Sequence, residues 1–149
     1  MPSFRDHCEH SRHNLAFLDS FFLTSFNDWS VTVMFYAGVH IAEAILDKDC
    51  SIHSQSHQER TGNLAKLTSF PEKAYKSLER EAHNSRYRKY KVYTWEVHRI
   101  FKEHFQKLVA WFNSSVDENF VLNSQVCKDI ADEWLKRYQR NESDCNKCN

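Results

Sequence analysis

An all-α, single-domain bundle of five to six helices is the fold this sequence predicts, and three observations predict it. Apolar residues recur at three-, four- and seven-residue steps through most of the 149 positions. Glycine and proline number two each, which leaves little material for the tight turns of hairpins. Capping residues stand just ahead of several of the periodic runs. The length fits one domain, expected over residues 1–140, followed by a flexible polar tail at 141–149. Eleven Phe, six Tyr and four Trp make the expected core rich in rings.

The first helix is expected from about residue 3 to 24, because Phe4, Cys8, Leu15, Leu18 and Phe22 form one apolar stripe. The second is expected to start at Asn27-Asp28 with Asp28 as N-cap and to run to about Asp47. It is apolar nearly all round, as the central rod of a bundle should be. Its apolar stretch, Val31 to Leu46, is shorter than the ~20 residues a bilayer demands, so it is expected in a core and not in a membrane. Ser56-His-Gln-Glu59 matches a capping box and opens a third helix to about Leu67. Ser69-Phe-Pro-Glu72 repeats that device, with Pro71 where a missing N–H costs nothing, and opens a fourth reaching as far as Tyr90. Thr94 is expected to cap a fifth helix with the stripe Val97, Phe101, Leu108 and Phe112. A last helix carries Val126, Ile130, Trp134, Leu135 and Tyr138.

Twenty Lys plus Arg balance twenty Asp plus Glu, so no global charge draws the chain to nucleic acid or to an anionic membrane. The opening residues lack the apolar core of a signal peptide, which predicts a cytoplasmic protein with reduced thiols. Cys8, Cys50 and Cys127 read as packing or surface thiols. Cys145 and Cys148 form a CxxC, half of a zinc site, and His53 with His57 is a weak metal pair, so neither a metal nor another cofactor is expected.

Three groups of residues could carry chemistry. Trp29, Tyr36, His40, Glu43 and Asp47 fall within roughly 60° of one another on the second helix. His40 and Glu43 there are either satisfied core groups or a pair suited to proton transfer. His57 and Arg60, at the N-terminus of the third helix, share a face where the helix dipole favours anions such as phosphate; a solvated surface pair is the alternative. The segment 73–93 holds seven cations against two anions, with Tyr75, Tyr87, Tyr90 and Tyr93 interleaved. Rings that stack on bases beside cations that neutralise phosphates are what single-stranded RNA binding uses, which singles out Tyr87, Arg88, Lys89, Tyr90 and Lys91. Tyr and Arg also anchor protein interfaces.

These residues resemble the HEPN superfamily, small all-α domains of prokaryotic toxins, defence systems and RNA-processing factors. The resemblance rests on Asp28-Trp29, Phe35-Tyr36-Ala37-x-x-His40, His57-x-x-Arg60 and Ser85-Arg86-Tyr87, in that order over residues 10–95. It implies a HEPN-like bundle handling RNA or nucleotides, a homodimer, and an antitoxin or defence-complex protein as a partner. Enzymes of that family are metal-independent ribonucleases in which Arg-x(4–6)-His orients phosphate and moves the 2′-hydroxyl proton. Arg86 stands where the family's Arg would, but Lys91, Val92 and Tyr93 occupy the positions its His would take. The resemblance therefore implies one of two things. In the first, Arg86 and Arg60 hold phosphate, His57 acts as base, and His40 and Glu43 position it. In the second, the domain binds without cutting. Arg99-x4-His104 also matches the motif, as a less favoured catalytic pair, with His104 on the apolar stripe and Arg99 about 140° away.

Overall fold

A computed structural model describes residues 1–88 and 91–145, with side chains to residue 139. It is an all-α bundle with no strand among the described residues. The helices are α1 (Phe4–Asp19), α2 (Asn27–Cys50), α3 (His57–Leu64), α4 (Glu72–Tyr87), α5 (Thr94–Ile100), α6 (Gln106–Ser115) and α7 (Gln125–Cys145). A π-helical turn, Phe101–Phe105, joins α5 to α6 in one rod, and a 3₁₀ turn, Glu118–Phe120, precedes α7.

The axis of the bundle is α2. It touches α1, α3, α4, α5, the π turn and α6. Its all-round apolar sequence predicts this place, and fifteen of its residues are buried. By length and composition it could cross a bilayer, being longer than the 16-residue apolar run suggested, yet 83% of its most apolar window is buried against the other helices. Gly38 lets α4 and α6 approach: a Cβ there would lie 3.1 Å from Leu108 Cδ2 and 3.3 Å from Leu78 Cδ2. Phe22, Phe35, Tyr75, Phe101, Phe105 and Phe112 fill the core around it.

Several boundaries differ from expectation for local reasons. α1 stops at Asp19, and Phe21 and Phe22 turn into the core through a bend in which Leu23 adopts a left-handed φ of 56°. Asp28 lies inside the first turn of α2, whose N-cap is Phe26. Ser56 does cap α3, accepting from Glu59 N at 3.1 Å, but the Glu59 carboxylate reaches one residue further back, to Gln55 N at 2.8 Å. Ser69 does not cap α4: it sits at φ 66°, its hydroxyl accepts from Trp111 Nε1, and Pro71 is the N-cap. Thr94 is the first residue of α5, and Tyr93 is the cap, its N–H held by Glu96 Oε2 at 3.0 Å. α7 turns a neighbouring face inward: Cys127 and Ala131 are buried and Ile130 of the expected stripe packs against the core, while Val126 and Tyr138 are exposed. It also continues through Cys145 into the stretch expected to be a tail; Cys148 lies outside the described residues. The π turn displaces His104 from the apolar stripe, because its wider winding delivers Phe105 to the core in its place.

Candidate functional site

Two groups of side chains meet at a buried ion pair between α2 and α3. Glu43 Oε1 accepts from Arg60 Nε at 2.5 Å, and both side chains are under one-tenth exposed. Glu43 Oε2 accepts from the backbone N–H of Ser54 at 3.1 Å. An arginine can only donate, so this carboxylate fixes the guanidinium, which in turn fixes its neighbours.

On one side of the pair, His57 and Arg86 both pack on the buried Phe35 ring. Arg60 Nη1 lies 3.0 Å from His57 Nδ1. Because Arg60 donates, Nδ1 is the acceptor and the ring carries its proton on Nε2. The half-exposed His57 ring packs 5.4 Å from Phe35, with Glu79 Oε1 3.8 Å from Nδ1. Against the same Phe35, the Arg86 guanidinium lies 6.0 Å from its centroid, 5.6 Å from that of Tyr36 and 5.4 Å from that of Tyr87. Arg86 also donates from Nε to the carbonyl of Ala82 at 3.1 Å and from Nη1 to the Tyr36 hydroxyl at 3.1 Å. Such cation–π stacking holds a guanidinium flat while leaving N–H groups for an anion. Beneath, Tyr75 packs on Phe35, and burial pushes its phenol up to about 12, so it is neutral at pH 7.

The structure thus brings His57, Arg86 and Tyr36 to one ring and sends Arg60 and Glu43 inward as their support. Tyr87, the last residue of α4, and Arg88 and Lys91 after it are exposed, with Lys91 5.2 Å from the Tyr93 ring. Lys89 and Tyr90 lie outside the described residues. Arg99 is taken by Glu81 at 3.3 Å and Glu103 at 3.6 Å, while His104 lines a separate cavity of about 720 Å³ with Lys73, Ser77 and Lys107.

On the other side of the ion pair is a histidine cluster, of which His40 and His53 stand out in the sequence and His7 does not. His40 Nδ1 lies 3.1 Å from His7 Nδ1, and its ring stacks 4.9 Å from His10. Among the described residues no hydrogen bond joins His40 to Glu43, so His40 faces α1 and not His57. His53 is in the loop after α2, where it meets Asp47 Oδ1 at 3.1 Å and His7 at a ring distance of 6.3 Å. His53 and His57 therefore do not share a helix face, since only His57 is helical. His7 could have been found, since it lies three residues from Phe4 on the edge of the α1 stripe. Asp47 was on the α2 stripe, but its partners, Phe4 N and His53, are set by tertiary contacts.

Burial lowers the pKa of His40 to about 4, helped by His7, His10 and Arg60 and opposed by Glu43; burial also lowers His7, opposed by Glu43 and Asp47. Both rings are therefore neutral in the fold at pH 7, while an unfolded chain protonates them near pH 6.5. Below about pH 6.5 the unfolded state binds more protons, so the contribution of both rings is complete above that pH and lost as pH falls, that of His40 toward pH 4. Urea unfolding in EDTA at pH 7.5 and 5.5 is expected to show lower stability at 5.5. The His40→Gln chain should lose less between the two pH values than the unsubstituted chain. A scan against protein-family models, a search of curated proteins and a search of solved structures each return no match.

Proposed function

We propose that this chain is a HEPN-like protein that binds single-stranded RNA, or a nucleotide phosphate, on the surface formed by Arg86, His57, Tyr36 and Tyr87. The observation that carries this reading is the Arg86 guanidinium, held over three rings, one of which, Phe35, also packs against His57. A phosphate there would meet the Arg86 N–H groups and the His57 Nε2–H, and Tyr87, 71% exposed, offers a face for a base. The basic, Tyr-rich run that follows extends the same surface with Arg88 and Lys91.

The geometry supports binding over cutting. Cleavage by transfer to a 2′-hydroxyl needs a base, and Arg60 occupies the His57 nitrogen that would otherwise be free to accept a proton. Arg60 itself is buried against Glu43 and takes no part in the outer surface. The resemblance adds a homodimer, with an antitoxin or defence-complex protein as the class of partner; light scattering on the purified chain reads the first.

The test is fluorescence anisotropy with a labelled single-stranded RNA in EDTA, followed by gel analysis of the same samples. The expected result is saturable binding of intact RNA, weakened at least about tenfold by Arg86→Ala, in line with the energy of a stacked, phosphate-bound arginine. RNA cut to cyclic-phosphate ends by the unsubstituted chain, and not by His57→Ala, would replace binding by catalysis. Binding unaffected by Arg86→Ala would overturn the site.

A further inference from the structure

We propose that His7, Glu43 and His53 form a binding site for one divalent transition-metal ion, zinc being the best match, on the side of the Glu43–Arg60 pair away from Arg86. One potential ligand atom from each residue lies within 4.8 Å of the others, and His7 and Glu43 are buried. Two imidazoles and one carboxylate are a set that zinc accepts with a position left for water or a further ligand.

The hydrogen-bond chemistry selects the atoms. The Asp47 carboxylate faces His53 Nε2 at 3.1 Å, so Nε2 carries the proton and Nδ1 presents a lone pair. That Nδ1 is buried without a partner, and so is His7 Nε2. Buried polar atoms in folded proteins are nearly always paired, and these two ring nitrogens within one cluster have lone pairs free to take a cation. His7 Nδ1 is turned to His40, which orients the ring just as Asp47 orients His53. A carboxylate or another side chain holding the far nitrogen of each ligating histidine is the usual support around such a metal.

Glu43 spends one lone pair on each of its two partners and keeps capacity on both oxygens. Arg60 beside it opposes a cation, while Asp47 and Glu43 supply two negative charges in compensation. Ligands about 2.1 Å from a tetrahedral zinc sit about 3.4 Å apart, so the widest pair must close by about 1.4 Å. His53 can supply that movement through its side chain, because it stands in the loop after α2 and not in a helix. A cavity of about 350 Å³, lined by His7, His40, Glu43, His53, Gln55 and Arg60, gives an ion access from solvent. The site stands apart from the proposal for RNA, sharing with it only the Glu43–Arg60 pair.

The experiment is zinc titration by calorimetry of the metal-stripped chain, free of any histidine tag. Cys145→Ser and Cys148→Ser are present throughout so that the tail thiols supply no ligand. Thermal unfolding is followed in parallel. The expected result is one zinc per chain, with a midpoint raised by roughly 5–10 °C at a hundredfold excess over Kd. Binding should vanish in His53→Ala and His7→Ala, weaken 10- to 100-fold in Asp47→Asn, and persist in His13→Ala, whose ring is exposed on α1. His53 is in a loop, so His53→Ala keeps the test valid even where His7→Ala fails to fold. No saturable binding, or binding undiminished by His53→Ala, would overturn the proposal.

Discussion

Glu43→Ala is expected to lower the stability of the fold by about 3–5 kcal/mol, the cost of leaving one member of a buried ion pair without its partner. Arg60 is 8% exposed, cannot lose its proton, and would be left in the core beside the neutral Tyr75 phenol. The Ser54 N–H would lose its acceptor as well, releasing the loop that carries His53. Urea unfolding should record the loss, and a thermal midpoint lower by roughly 10 °C should accompany it. Glu43→Leu combined with Arg60→Met is expected to recover most of this, because removing both charges leaves no buried charge uncompensated and only the Ser54 N–H without its acceptor. A double variant no more stable than Glu43→Ala would show that shape, and not charge, is what this position supplies.

Phe35→Ala carries the second large effect, about 3–5 kcal/mol, from loss of a buried ring and the cavity left behind. Phe35 is 1% exposed and lies against Tyr75, His57, Tyr36 and Arg86. The substitution therefore unseats both proposed phosphate ligands while it hollows the core. Phe35→Leu keeps most of the volume and none of the ring, and is expected to cost less than half as much stability. RNA affinity should fall in Phe35→Leu at a temperature where that chain is fully folded, because a cation over a methyl group has no quadrupole to hold it. Unchanged RNA affinity in a folded Phe35→Leu chain would separate the ring from binding.

The helical architecture was legible because the rules that produce it are local. The all-round apolar run of α2 admits only a central position, and the capping serine of α3 is read from four consecutive residues. What sequence could not yield came from contacts between elements. Ser69 has the composition of a cap, but the approach of Trp111 from α6 fixes it in a left-handed turn. The π turn adds a wider winding that no 3.6-residue projection contains, and it moves His104 off the stripe.

The same division holds at the candidate site. His57, Arg60 and Glu43 were picked out by spacing within helices, yet the pairing of Glu43 with Arg60 depends on how α3 folds back against α2. That pairing decides which way Arg60 points and which nitrogen of His57 carries hydrogen. Arg86 is in the last turn of α4, and nothing near it in sequence marks Phe35 as its support. His7 entered the cluster because α1 packs against α2 with the edge of its stripe facing His40 and Glu43.

The most direct test of the account is the dependence of RNA affinity on salt, for the unsubstituted chain and for Arg86→Ala. Affinity falls with salt in proportion to the phosphates neutralised, with a log–log slope of roughly −0.7 per contact on a single strand. The account predicts a negative slope for the unsubstituted chain and one shallower by about 0.7 for Arg86→Ala. Equal slopes for the two chains would contradict it, because Arg86 would then hold no phosphate.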